Sequence, residues 1–545
     1  MDKRKNIILF FADDLGIGDV SAFNPEAKFQ TKNIDRLAEK GMRFTDSHAT
    51  SAVCTPSRYG LLTGRYNWRS KLKSYVIPGD AESLIEKDRR TLAQLLKDHG
   101  YNTAAVGKWH LGLDWELKKE KDYDYFGVSE ELAEDKNAEF QKGRLDNFGN
   151  NTGEAYVRGL DIDYSKPIKF GPNQLGFDYF YGTPASLDQG PFVIIENDRV
   201  LDPPVNVMGN ANISRVADNT QKTWELGVAS PEVSPYHIPD QMQSKFMEIL
   251  EDFVEEKDPF FMYYPNHLVH GPIIPQERFQ GKSGIGDYGD FVLQLDSYVG
   301  EIIDYLETRD EFDNTIFIFT SDNGVSSIVD LEELRSKGHD SSNGLRGHKM
   351  HIWEGGHREP TIVCYPEMIQ GGQVSNHMIS HSDIFKTIAE LLDANTADDE
   401  AEDSISNLSL WQGEDKPVRE DIIHSSINGG FSIRRDFWKL IFVTDGGMSI
   451  DYERNIESYK ETFYPSELYD LRDDISESHN VIEDHPEIVK TLSESLARYI
   501  KEGRSTEGVL QTNQPDKPTG DWEQIVWMDG YEEYIKQLNA QKLTE

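Results

Sequence analysis

The sequence predicts an α/β fold with a large mixed, mostly parallel sheet sandwiched by helices, followed by a smaller C-terminal α+β domain on an antiparallel sheet. Three observations predict it. Short, almost continuously apolar segments alternate with amphipathic ones over roughly the first 390 residues, as in a sheet with both faces covered. Conspicuous polar residues directly follow the apolar segments. Beyond an acidic, weakly apolar linker at 394–403, the pattern changes to short strands in close succession.

The elements of the first part follow in chain order. Apolar runs predict core strands at 6–12, 102–107, 259–264, 314–320 and 360–365. Amphipathic runs predict helices at 33–40, 91–99, 240–256, 287–308 and 381–393. Residues 114–175 are polar and lack a clear period, so we expect them to form surface insertions.

The second part of the chain predicts a separate, smaller unit. Strands are expected at 421–427, 430–435 and 437–443, and a helix near 485–501 would cover their sheet. A chain of 545 residues is too long for one compact core. We therefore expect two domains, 1–405 and 406–545.

Composition excludes two classes of partner. The formal net charge of −40 argues against nucleic-acid binding, because a phosphate backbone needs patches of Lys and Arg. No apolar run approaches the roughly 18 residues of a membrane span, so none is predicted. The basic start and apolar run of 1–12 imitate a leader peptide, but Asp13 and Asp14 follow without a small-residue cleavage site, which favours a first core strand. If a leader was removed ahead of this numbering, we expect a periplasmic or secreted protein.

Two pairs of residues with oxygen-bearing side chains follow predicted strands. Asp13 and Asp14 end the first strand, and Asp322 and Asn323 follow the strand at 314–320. Either pair alone is typical of a solvated turn. In a parallel sheet, however, ligands gather outside the carboxyl ends of the strands, where one edge would carry all four oxygen-bearing side chains. Such donors select a hard cation, and calcium, which tolerates irregular geometry, is favoured over magnesium.

Protonatable side chains follow two other strands. Lys108 and His110 stand two residues apart after 102–107, so in extended backbone both point to one side. His267 and His270 follow 259–264, and the Gly-Pro after them fixes a turn. Two histidines at helical spacing would suit a transition metal, but this proline argues against a helix.

The stretch 345–360, LRGHKMHIWEGGHREP, is rich in glycine, histidine and basic residues. A flexible basic loop is one interpretation. In so acidic a chain, a local cationic cluster also indicates an anionic substrate.

Only two cysteines occur in the chain. Cys364 lies in an apolar strand and is interpreted as a small core residue. Cys54 lies in VCTPSRYGLLTGR, where neither a disulfide, nor a pair of metal thiolates, nor a thiolate nucleophile accounts for the fixed Pro56 and Arg58. This stretch resembles the signature of the type I sulfatases at every position. In that family a maturation enzyme reads Cys-x-Pro-x-Arg and oxidises the cysteine to Cα-formylglycine (3-oxoalanine).

The resemblance covers most of the chain and implies an alkaline phosphatase-like fold whose smaller domain closes the substrate cleft. Residues 467–471 resemble a late strand of that domain. The resemblance also implies a role for each candidate. The implied calcium ligands are Asp13, Asp14, Asp322, Asn323 and position 54, and the implied catalytic residues are Cys54, Arg58, Lys108, His110, His270 and Lys349. Among these, Lys108, His270 and Lys349 would bind substrate, and spacing to the proline favours His270 over His267.

The implied activity is sulfuric ester hydrolysis by a bacterial glycan sulfatase, through a formylglycine hydrate and calcium. The polar insertions and acidic composition favour a sulfated oligosaccharide or polysaccharide, with 177–200 as sugar-facing material or, alternatively, as core packing. Two other functions stay open. The chain could be a phosphonate or phosphate ester hydrolase with the same Cys-x-Pro-x-Arg sequence, or a catalytically silent glycan-binding protein, although the complete catalytic set argues against the second.

Overall fold

The computed structural model describes residues 4–119, 157–208, 226–231, 233–448, 462–514 and 522–542. Its strands are β1 Asn6–Ala12, β2 Met42–Phe44, β3 Ser47–His48, β4 Asn102–Lys108, β5 Val157–Arg158, β6 Tyr179–Thr183, β7 Ile195–Glu196, β8 Arg199–Val200, β9 Asn206–Met208, β10 Leu226–Ala229, β11 Phe260–Pro265, β12 Thr315–Ser321, β13 Thr361–Cys364, β14 Gln373–Ser375, β15 Ile379–Ser380, β16 Asp421–Ser425, β17 Phe431–Arg435, β18 Trp438–Ile441 and β19 Glu467–Asp470. Its α-helices are α1 Lys32–Lys40, α2 Cys54–Thr63, α3 Leu92–Asp98, α4 Ile238–Glu256, α5 Asp287–Thr308, α6 Leu331–Ser336, α7 Glu354–His357, α8 Asp383–Leu391, α9 Leu408–Trp411, α10 Pro486–Glu502 and α11 Tyr531–Lys542.

A ten-stranded sheet forms the core, in the order β14-β2-β13-β12-β1-β11-β4-β6-β7-β8. The central strands β12, β1, β11, β4 and β6 run parallel to one another, whereas β13, β7 and β8 add antiparallel pairs. The predicted mixed, mostly parallel sheet is confirmed. Because the central strands share one direction, the residues that follow β1, β4, β11 and β12 meet at one edge.

Helices cover both faces of this sheet. The side chains of β1 alternate: Ile7, Leu9 and Phe11 pack with residues of α2, α3 and α8, and Ile8 and Phe10 pack with residues of α1, α4 and α5. All seven residues of β1 are therefore buried, which explains its nearly continuous apolar sequence.

The smaller antiparallel sheet is also confirmed. Its order is β16-β17-β18-β19, and β19 coincides with the predicted late strand at 467–471. Leu492, Leu496 and Ile500 of α10 pack against the apolar face of this sheet, together with Ile433 and Leu440. Among the described residues, no helix is both long enough and apolar enough to cross a membrane.

The expected surface insertions at 114–175 are in part buried, and for 177–200 the structure favours core packing over a sugar-facing role at several positions. Residues 120–156 of the predicted insertions lie outside the described residues, but Leu160, Ile162 and Phe170 belong to the core. Within 177–200, Phe180 and Ile195 pack in the core as well. Their apolar side chains are spaced irregularly, so the sequence offers no period that would reveal burial.

The acidic stretch 394–403 was expected to be a linker and instead ends inside the protein. Asp403 is buried and accepts hydrogen bonds of 2.7 and 2.8 Å from Arg69, and Glu402 pairs with Arg89 at 2.9 Å. Arginines distant in sequence neutralise these carboxylates, so the sequence alone suggests solvation. The division of the chain at residue 405 stays a prediction.

Candidate active site

The two pairs, Asp13 with Asp14 and Asp322 with Asn323, meet at the carboxyl edge of the sheet and form one acidic group. Because Ala12 of β1 is in register with Ser321 of β12, the residues that follow lie side by side. Asp14 N donates to Asp322 Oδ1 at 3.1 Å, and Asn323 Nδ2 donates to Asp14 Oδ1 at 2.7 Å. Asp13, Asp14, Asp322 and Asn323 are all fully buried.

Cys54 is the first residue of α2 and lies against this group. Its Sγ is 3.8 Å from Asp13 Oδ1, and the residue is only 2% exposed. Val53 is extended, and the helix that begins after it is buried over its whole length. The start of α2 therefore delivers the side chain of position 54 to the acidic group.

Three cations neutralise the carboxylates. Arg58, one turn into α2, donates from Nη2 to Asp322 at 2.7 Å. Lys108, the last residue of β4, reaches Asp13 at 2.7 Å, and Lys349 reaches Asp14 at 2.6 Å. All three cations are buried, so their charges act in a medium of low dielectric constant.

Asp13 and Asp322, which both lie beside Arg58, have pKa values shifted in opposite directions. Burial acts to raise the pKa of Asp13, but Lys108, His270 and Arg58 outweigh it and hold that pKa below its usual value. Burial and the charge of Asp13 raise the pKa of Asp322. Two adjacent carboxylates thus share the available positive charge unequally.

His110 is a neutral imidazole with a free nitrogen. Its Nε2 lies 2.9 Å from the carbonyl oxygen of Ile77, which can only accept, so Nε2 carries the proton. Burial and the nearby charges of Lys108 and Arg58 lower its pKa well below 6.5. Nδ1 is buried and has no hydrogen-bond partner among the described residues. It can accept a proton inside the site.

The structure separates the two histidines that the sequence could only rank by spacing. His270 Nδ1 donates to the carbonyl oxygen of Gly271 at 2.7 Å, and its Nε2 lies 3.7 Å from Asp14. Burial and Lys349 act to lower its pKa, but Asp14 and Asp13 outweigh them and raise it to about 9. His267 instead bonds Thr183 at 2.8 Å. His270 is the histidine that faces the acidic group.

The residues present fit a hard cation. Both protons of the Asn323 amide are used, by Asp14 and by the carbonyl oxygen of Gly324 at 3.0 Å. Its Oδ1 is buried and lacks a donor among the described residues. Asp13, Asp14 and Asp322 are buried in the same group of residues, and carboxylate and amide oxygens form a donor set that suits calcium or magnesium.

The comparison with known proteins decides the family. Residues 5–394 match the Sulfatase family. The chain belongs to the sulfatase family. It is an enzyme, and the resemblance carried by VCTPSRYGLLTGR is confirmed.

Two curated sulfatases and one solved structure match nearly the whole chain. N-acetylgalactosamine-6-O-sulfatase of Bacteroides thetaiotaomicron is 36% identical, over 91% of this chain and 93% of that protein. Human arylsulfatase A is 29% identical, over 88% of this chain and 83% of that protein. A Bacteroides thetaiotaomicron protein solved in a study of glycosaminoglycan metabolism superposes with a TM-score of 0.72 at 32% identity, over 91% of this chain and 99% of that chain.

In this sulfatase, most of the basic side chains in the stretch 345–360 do not reach the acidic group. Only Lys349 reaches the acidic group. Arg346 lies 3.7 Å above the ring of Trp353, and Arg358 pairs with Glu354. The residue missed from the sequence is Ile77, whose carbonyl oxygen orients His110, because a backbone contact of this kind leaves no pattern in side-chain types.

Proposed function

We propose that this sulfatase removes sulfate from a sulfated glycan, with Cys54 converted to formylglycine as the nucleophile and calcium bound beside it. The observation that carries the proposal is the position of Cys54 Sγ, 3.8 Å from Asp13 within a buried group of carboxylates and cations. The 36% identical relative named N-acetylgalactosamine-6-O-sulfatase favours an N-acetylhexosamine 6-sulfate as substrate. A glycan of this kind would be met by the enzyme in the periplasm or outside the cell.

Asp13, Asp14, Asp322, Asn323 and the modified position 54 would hold the calcium. Once bound, the ion supplies positive charge that polarises the nucleophile and stabilises charge on the sulfate oxygens. In this structure, Lys108 and Lys349 neutralise Asp13 and Asp14. With the carboxylates occupied, both ammonium groups become available to the sulfate.

Arg58, Lys108 and Lys349 preorganise positive charge for sulfuryl transfer. Negative charge develops on the non-bridging oxygens and on the departing oxygen as the ester S–O bond breaks. Fixed, buried cations stabilise that charge more strongly than water does. Arg58 is held in place by its bonds to Asp322 and to the carbonyl oxygen of Lys108 at 3.0 Å.

Two histidines move the protons. His270, whose Nε2 faces the acidic group, donates a proton to the departing sugar oxygen. His110, neutral with a bare Nδ1, accepts the proton whose removal releases sulfate. Asp322, whose pKa is raised, would take the proton of the formylglycine hydroxyl that attacks sulfur, and His110 that of the second hydroxyl as sulfate leaves and the aldehyde is regenerated. Rehydration of the aldehyde would consume one water per turnover. A thiol or a serine hydroxyl lacks the second group.

Mass spectrometry of the tryptic peptide 44–58 tests the modification, which replaces sulfur by oxygen and removes two hydrogens. The protein is co-expressed with a formylglycine-generating enzyme, the proposed maturation partner. Turnover of sulfate, phosphonate and phosphate esters by that preparation then tests the reaction. Loss of sulfate ester turnover in Cys54→Ala is expected. Full activity in that variant, or preference for phosphonate esters, would contradict the proposal.

A further inference from the structure

A cleft of about 510 Å³, the α10 cleft, lies in the smaller unit of the protein. Its walls are α10, Pro465 ahead of β19, and the segment 527–529. The α10 side chains that line it lie on a different face of the helix from Leu492, Leu496 and Ile500, which pack against the smaller sheet. None of the candidate active-site residues lines this cleft. Its volume falls within the roughly 300–1,000 Å³ of small-molecule sites.

Trp527 gives the α10 cleft an aromatic wall. The side chain is half-buried, and Phe442 packs against its ring with centroids 4.4 Å apart. Its Nε1–H donates to the carbonyl oxygen of Gln524 at 3.0 Å, so its one polar atom is already used. What Trp527 offers to a ligand is therefore the carbon surface of a ring that these two contacts hold in place. Such a surface suits a flat ligand with an apolar face.

Charged side chains of both signs complete the cleft: Glu494, Arg498, Lys501, Glu502 and Asp529. Among the described residues, no two of these five pair with each other. Glu494 reaches only Lys490, at 3.9 Å, and Arg498 lies over the ring of Tyr499. The hydroxyl of Ser493, which also lines the cleft, has no hydrogen-bond partner in the described part of the chain. The cleft thus presents donors and acceptors together, with one carboxylate more than it has cations.

We propose that the α10 cleft binds a neutral pyranose unit of a glycan. A pyranose ring has a face of C–H groups, which packs on an aromatic ring, and a rim of hydroxyls that both donate and accept. The C–H face lies on Trp527, and the hydroxyls donate to the carboxylates and accept from the two cations. The excess of carboxylates disfavours a sulfated unit. This inference goes beyond the proposed function, because the bound unit is not the one that loses its sulfate.

Calorimetric binding of galactotetraose, a neutral oligosaccharide, to the full chain tests the inference. Trp527→Leu removes the aromatic wall, and Asp529→Asn removes the charge of one exposed side chain at the cleft. The matched controls are Trp438→Leu, at a half-buried tryptophan that contacts His485, and Asp473→Asn, at an exposed aspartate. Both control residues belong to the smaller unit, and neither lines the cleft. A sulfated galactotetraose is titrated in parallel.

Wild-type protein is expected to bind galactotetraose saturably, with an affinity that changes little between low and high salt because the ligand is uncharged. Trp527→Leu is expected to weaken binding by at least about 10-fold, as for a buried aromatic anchor. Asp529→Asn is expected to weaken it by about 3- to 10-fold, as for one hydrogen bond, and both controls to stay within about 2-fold. The sulfated tetrasaccharide is expected to bind more weakly at low salt.

Absence of saturable binding, or equal binding by wild type, Trp527→Leu and Asp529→Asn, overturns the inference. Tighter binding of the sulfated tetrasaccharide that weakens with salt also overturns it, since the cleft would then be an anion site. If Trp527→Leu unfolds at lower temperature than wild type, Asp529→Asn decides the outcome, because that side chain is exposed. The titrations need no turnover, so they judge the cleft even if the protein hydrolyses no sulfate ester and the proposed function fails.

Discussion

Lys439 Nζ lies 3.0 Å from Glu354 Oε1, and neither side chain is exposed. Lys439 belongs to β18 of the smaller sheet, and Glu354 begins α7, five residues after Lys349. The same ammonium group lies 2.8 Å from Glu477 and 3.2 Å from His357 Nε2. One buried lysine therefore ties the smaller sheet to the loop that carries a candidate sulfate ligand.

Replacing Lys439 by Met is expected to destabilise the protein by about 3–5 kcal/mol, because Glu354 and Glu477 lose their buried counter-charge. Denaturant unfolding measures the effect. The matched control is Lys490→Met, whose partner Glu494 is 3.9 Å away with both side chains mostly exposed, and a change within about 0.5 kcal/mol is expected there. A Lys439→Met protein as stable as the control would contradict the role assigned to this ion pair.

His270→Gln and His267→Gln separate the two candidate proton donors. On a sugar sulfate, loss of a general acid is expected to lower kcat by at least about 100-fold. On nitrophenyl sulfate the loss should be far smaller, because that leaving group departs without a proton. His267→Gln is expected to stay within several-fold of wild type on both substrates. Equal losses of kcat on both substrates in His270→Gln would contradict the assignment of His270 as the general acid.

Chelation tests the cation. Removing calcium from the matured enzyme is expected to abolish turnover and to lower the unfolding temperature, since a ligand at about 100 times its dissociation constant stabilises the folded state by about 2.7 kcal/mol. Added calcium should restore both more fully than magnesium. Asn323→Ala removes one oxygen donor and is expected to weaken calcium binding, measured by calorimetry. Unchanged affinity would show that Asn323 is not a ligand.

His381 gives stability a defined dependence on pH. It is buried and bonds Thr320 at 2.9 Å, and burial lowers its pKa to about 3 from 6.5. Between these two values the unfolded chain binds the proton and the folded chain does not. The contribution of His381 to the free energy of unfolding is fully present above pH 6.5. It decreases by about 1.4 kcal/mol per pH unit as the pH drops toward 3. Unfolding free energies at pH 5 and 7 should therefore differ less in His381→Phe than in wild type, and equal differences would contradict this assignment.

The sequence predicts most of the central sheet and the site at its edge. The strand at 6–12 is predicted with its observed bounds, and because β1 and β12 are parallel, Asp13 and Asp322 converge as expected. The direction of β13 is not encoded in its apolar pattern, and it proves to be antiparallel to β12. Strands of two or three residues, such as β2, are too short to show a period.

Contacts between distant residues account for the rest. Asp403 lies in an acidic stretch that the sequence predicts to be solvated, but the fold pairs it with the distant Arg69. His351 lies in a basic stretch, yet burial lowers its pKa and keeps it neutral. Residue types predict which side chains meet at the edge of the sheet. Protonation and orientation depend on backbone carbonyls and on packing.

The burial of Cys54 limits when a maturation enzyme could modify it. Ala52 N donates to the carbonyl oxygen of Ser425 at 2.9 Å, and its own carbonyl oxygen accepts from Met350 N at 2.8 Å. Both partners are synthesised long after Cys54, and together they seal the segment. On the proposed function, an oxidising enzyme would have to reach the thiol before the chain folds. Copies that fold first would keep an unmodified Cys54, so the fraction of active molecules would depend on the rate of oxidation relative to the rate of folding.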